Sequence, residues 1–110
     1  MGIRSYFRVF YGIKIPLNHQ DLLEAIDSET EPRMLAAQRA GMDTSYGYIV
    51  DEEDGFLYIG RDLGSLSYVD SHYLQIGMEE LSALSLQVAA QLREAGLEGD
   101  PAFHIQLEMA

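Results

Sequence analysis

The order of elements written into the sequence predicts one α+β domain over residues 1–110. The expected architecture is an antiparallel sheet with helices on one face, laid out β-α-β-β-α-β in the ferredoxin-like manner or a related one. Three observations carry this. Apolar residues alternate at period two near both ends of the chain, two strand-like runs flank a polar Asp-Gly turn in the middle, and a long amphipathic helix pattern occupies residues 79–95.

Phe7, Val9, Tyr11, Ile13 and Ile15 lie on one side of the first strand-like run, with Tyr6, Arg8, Phe10 and Lys14 opposite. This predicts a strand over 4–15 that Pro16 ends, because proline has no N–H for the ladder. Asn18 then reads as an N-cap, with Asp21 three residues on, for a short helix whose apolar face is Leu22, Leu23 and Ile26. Thr30 reads as the cap of a second helix, with Pro32 in its first turn and Gly41 as its stop. The runs 46–50 and 56–60 predict a hairpin around Asp51-Glu52-Glu53-Asp54-Gly55, the Asp-Gly pair supplying a positive φ.

Residues 61–77 carry no clear period and read mostly as loop, with a short strand near 73–76. Leu81, Leu84, Val88, Leu92 and Ala95 recur at helical spacing behind acids in the first turn, and Gly96 ends that helix. In the last segment Phe103, Ile105, Leu107 and Met109 alternate with His104, Gln106 and Glu108, predicting a strand whose polar set is the wet one.

Charge narrows the partners. The chain has 18 Asp+Glu against 7 Lys+Arg, a formal net charge of −11. Residues 1–20 hold three bases and no acid, whereas residues 43–80 hold nine acids against Arg61 alone. Such a field repels phosphate backbones and anionic membranes and steers cationic surfaces inward, so direct nucleic-acid or membrane binding is disfavoured. There is no cysteine and no apolar run long enough to cross a bilayer, and Met1-Gly2-Ile3-Arg4 leads into a charged aromatic segment. The expected location is the cytoplasm.

Familiar chemistry is hard to find. Asp70-Ser71-His72 is the one tight Asp, Ser, His cluster, but sequence neighbours point apart and it reads as a hydrogen-bonded polar loop. The 51–55 run lacks the alternating ligands of a calcium loop and reads as a solvated turn. Gly60-Arg61-Asp62-Leu63-Gly64 has neither phosphate-loop spacing nor the lysine such a loop uses. Neither cofactor nor metal is expected, and no catalytic set is assigned.

The expectation is therefore a non-enzymatic interaction module that binds a basic protein surface. In its most concrete form it is a DNA mimic of the kind phages and mobile elements use against restriction or CRISPR machinery, blocking a nucleic-acid-handling host protein. The candidate docking carboxylates form two groups. One holds Asp21, Glu24, Asp27, Glu29 and Glu31, the other Asp51, Glu52, Glu53, Asp54, Asp62, Asp70, Glu79 and Glu80. Tyr6 and Phe10, sharing a strand face, are candidates for an aromatic partner or dimer surface. The alternative is a small-molecule sensor or small enzyme with a pocket between the sheet and the 61–77 segment, where Arg61, Tyr68, His72 and Tyr73 would converge. Homodimerisation through a sheet edge is compatible with either reading.

Overall fold

The first strand, β1 (Ser5–Leu17), is central to a four-stranded sheet ordered β2-β3-β1-β4, with β2 (Asp43–Tyr48), β3 (Gly55–Ser67) and β4 (Ala102–Met109). Every pairing is antiparallel. Among the described residues two helices are complete, α1 (Pro32–Arg39) and α2 (Met78–Ala95). The computed structural model describes residues 5–18, 20, 31–48, 55–69 and 71–109. The helix expected around Leu22, Leu23 and Ile26 lies outside the described residues, as do turn residues 51–54.

Several boundaries differ from the sequence reading for identifiable reasons. Pro16 does not end β1 but pairs opposite Phe56. The ladder to β4 reaches only Gly12, so at Pro16 one flank of β1 has no partner strand among the described residues, a position where proline is tolerated. The cap of α1 is Glu31 rather than Thr30. Pro32 occupies the start of the helix, and the Glu31 carboxylate accepts from the Met34 N–H at 2.9 Å and from Arg33 Nε at 2.8 Å. Gly55 belongs to the ladder, opposite Leu17 and Tyr48.

The largest difference is β3, which continues through residues 61–67, where a loop was expected. The first half of β1 supplies its partners, from Phe10 opposite Asp62 to Tyr6 opposite Ser67. A bulge at Leu63 shifts the register, Gly64 takes φ 103°, and the Asp62 carboxylate accepts from the Gly64 N–H at 2.8 Å. That extra residue breaks the period of two. Residues 71–77 form no strand. In α2, Glu79 and Glu80 sit in the first turn, and Gly96 closes the helix at φ 71°. Gly96→Ala is expected to cost about 1 kcal/mol through that left-handed φ alone, as nothing lies within 4 Å of the added methyl. A thermal melt checks it.

Both helices lie on one face of the sheet. Ala37 and Met42 from the α1 side and Val88 and Leu92 from α2 bury against Tyr11, Ile13, Leu17, Leu57 and Ile59. Full burial of each large aliphatic chain there contributes about 1.5–3 kcal/mol. A second cluster, Phe10, Phe56 and Tyr58, is buried on the opposite face.

Burial of that second cluster follows from the curl of the sheet. In a flat sheet the outer strands β2 and β4 would lie about 14 Å apart, three strand spacings. Instead, Glu108 on β4 comes within 3.6 Å of where a Cβ on Gly47 of β2 would be, and Arg8 on β1 hydrogen-bonds both Glu108 and Ser45 of β2. The bend is permitted where Gly12 of β1 faces Gly60 of β3. A methyl on Gly12 would sit 2.1 Å from the Ile59 carbonyl oxygen, an approach only two glycines allow.

Candidate interaction surface

The concave face of the curled sheet is a closed aromatic and polar network. The Tyr58 ring lies 5.3 Å from Phe10, 4.9 Å from Phe56 and 5.0 Å from the His104 imidazole. Its hydroxyl donates to Gln106 Oε1 at 3.2 Å. His104 Nε2 donates to the Gly12 carbonyl at 3.0 Å, and Arg8 Nε pairs with Glu108 Oε2 at 3.1 Å. Lys14 Nζ stands 5.0 Å above the Phe56 ring, a cation–π contact. Burial acts to lower the Arg8 pKa, but hydrogen bonding to Tyr6 and the Glu108 charge outweigh it and hold the guanidinium above its ordinary value. Burial, reinforced by Glu108 and opposed by Arg8, pushes the Tyr58 phenol up.

Two expectations change here. Phe10, a candidate partner residue, is fully buried because the sheet wraps over it, while Tyr6 beside Glu108 is half-buried. The polar set of β4 is also the more buried one. His104, Gln106 and Glu108 line the concavity, whereas Phe103, Ile105 and Leu107 are 43%, 69% and 52% exposed on the convex side. Phe7, opposite Leu107 on β1, is 46% exposed. Sequence reasoning assigned no role to this apolar stripe, because alternation does not say which set faces inward once a sheet closes on its polar side.

Of the first acidic group, Glu31 alone is described. It caps α1 and pairs with Arg33. Asp21, Glu24, Asp27 and Glu29 lie outside the described residues. Of the second group, Asp62, Glu79 and Glu80 are exposed, with Asp62 also holding the bulge through Gly64. Asp51, Glu52, Glu53, Asp54 and Asp70 lie outside the described residues.

The residues of the alternative pocket are divided among separate places. Arg61 borders a hollow of about 540 Å³ with Leu63, Ile76 and Leu84, where it donates to Gln87 at 3.0 Å and lies 3.9 Å from Asp43. Tyr73 borders a different groove of about 310 Å³, beside Val9, Leu66 and Leu74. Tyr68, 92% exposed, pairs with His72, ring centroids 6.2 Å apart, and neither borders these hollows. Among the described residues no three metal-ligating side chains gather, and no helix is long and apolar enough to cross a membrane.

Compared with protein-family models, curated proteins and solved structures, the chain matches none.

Proposed function

We propose that this chain is an acidic, non-enzymatic interaction module that docks on a basic protein surface. The observation that carries the reading is where its few cations are used. Arg8 is paired with Glu108 and Arg33 with Glu31, Arg61 leans on Asp43, and Lys14 lies over aromatic rings. Four of the seven Lys+Arg are thus engaged within the molecule, whereas Asp62, Glu79, Glu80, Glu94, Glu98 and Asp100 are exposed and form no ion pair among the described residues. A surface of that sign attracts cationic partners over long range and gains affinity as salt falls.

The more specific proposal is that the partner's basic surface is one that holds nucleic acid. Carboxylates of this module then stand where phosphates would, as in phage or mobile-element inhibitors of restriction or CRISPR enzymes. The finer fold proposal is the ferredoxin-like class. It is supported by the β-α-β-β-α-β order of described elements and by two crossovers, β1 to β2 and β3 to β4, that each return parallel to their starting strand.

The variant that tests the docking reading is Glu79→Lys with Glu80→Lys. Both side chains are exposed at the start of α2 and have no partner strand or cap to maintain. The double reversal is expected to weaken binding to a captured partner at least tenfold and to flatten its salt dependence, while costing the helix only about 1 kcal/mol through its dipole. Binding titrations at several salt concentrations, with circular dichroism as the folding control, make the comparison. Unchanged affinity and salt slope would remove this end of α2 from the docking surface.

A further inference from the structure

From the convex apolar stripe of β4 we infer that a second copy of this chain packs there, about a two-fold axis at Ile105. This assembly is separate from the acidic docking surface and stands whether or not that reading holds.

Charge selects a second copy over other occupants. From Ala102 to Leu107 the strand carries no acid, lysine or arginine, and the adjoining Glu108 is neutralised by Arg8 on the other face. Two molecules of net charge −11 can meet on this strip without bringing uncompensated carboxylates together, while a basic partner is drawn to the acidic surfaces instead. Among the described strands β4 is also an edge, bonded to β1 alone, and it carries none of the lysines or prolines that commonly guard such edges.

The spacing is self-complementary. With the two strands antiparallel about Ile105, Ile105 meets its own copy on the axis, and Phe103 of each chain meets Leu107 of the other, so that contact is made twice. Phe7, Phe103, Ile105 and Leu107 together expose on the order of 400 Å² per copy, from their fractional exposures and about 200 Å² for a whole large side chain. That is about half of the roughly 800 Å² per partner in a standard stable interface, which implies a dimer that dissociates on dilution.

Analytical ultracentrifugation of the whole chain from low micromolar to near-millimolar concentration tests this. The wild type is expected to pass from 12.3 kDa monomer to a species of twice that mass. Ile105→Lys, which sets two ammonium groups on the axis, is expected to stay monomeric while keeping its circular dichroism spectrum. An equimolar mixture of Ile105→Lys and Ile105→Glu is expected to recover the dimer. A wild type that remains monomeric throughout, a folded Ile105→Lys that dimerises as the wild type does, or a mixture that stays monomeric would each overturn the proposal. If Ile105→Lys does not fold, Leu107→Lys is judged by the same outcomes.

Discussion

Gly12→Ala and Gly60→Ala are each expected to destabilise the domain by about 4 kcal/mol or more, a large part of the ~5–15 kcal/mol that holds a domain of this kind folded. The added methyl on Gly12 would lie 2.1 Å from the Ile59 carbonyl oxygen and 2.8 Å from the Gly60 Cα. On Gly60 it would lie 2.2 Å from the Tyr11 carbonyl oxygen and 2.7 Å from the Gly12 Cα. These neighbours are backbone in the two central strands, so no rotamer change relieves the contact. Relief requires β1 and β3 to separate, which opens the curl and exposes both clusters of the core. Gly64→Ala is the control, because it meets nothing within 4 Å and pays only for its φ of 103°. Urea midpoints compare the three, and a Gly12→Ala protein as stable as the wild type would contradict the close crossing.

Phe10→Ala is expected to cost about 3–5 kcal/mol, the usual loss for emptying a fully buried aromatic site. Phe10 is fully buried on the face away from the helices, stacked at 5.3 Å on Tyr58 and opposite His104 in the ladder to β4, and its absence would leave a cavity in the Phe10, Phe56 and Tyr58 cluster. On a flat, open sheet the same residue would face water and the same substitution would cost little. Chemical denaturation thus separates a curled sheet from a flat one. A change below about 1 kcal/mol, within the range of ordinary surface substitutions, would contradict the buried concavity.

The sequence made the long regular elements legible and hid the curl. The first strand as far as Ile15, the helix stop at Gly96 and the last strand follow directly from period and breaker residues, whereas the continuation of β1 through Pro16 to Leu17 does not. The 61–67 stretch was obscure because the extra residue at Leu63 moves the pattern to the other parity, and only the long-range ladder to Tyr6–Phe10 identifies it as strand. The inverted faces of β4 were obscure because His104, Gln106 and Glu108 become half-buried through partners far off in sequence: Gly12, Tyr58 and Arg8. One signal did exist. Phe56-Leu57-Tyr58-Ile59 is a continuous apolar run, the pattern of a strand buried on both faces, and it implies that something covers the second face.

The candidate surfaces were legible to different degrees. Net charge and its clustering need no structure, so the acidic character of the chain is plain in composition. The convergence of Arg61, Tyr68, His72 and Tyr73 depended on a loop whose first part, 61–67, is strand, and lengthening β3 carries Arg61 away from Tyr73. The apolar stripe of β4 needed the fold to be seen, because Phe103, Ile105 and Leu107 look in sequence like core residues.

The most direct test of the acidic docking reading is competition. The tagged chain is used to capture a basic protein from a nuclease-treated cell lysate at low salt, and duplex DNA is then titrated against the purified complex. The account predicts that DNA and the chain displace each other and that the affinity of the chain falls steeply as salt rises. Binding that duplex DNA leaves untouched, with an affinity indifferent to salt, would contradict it.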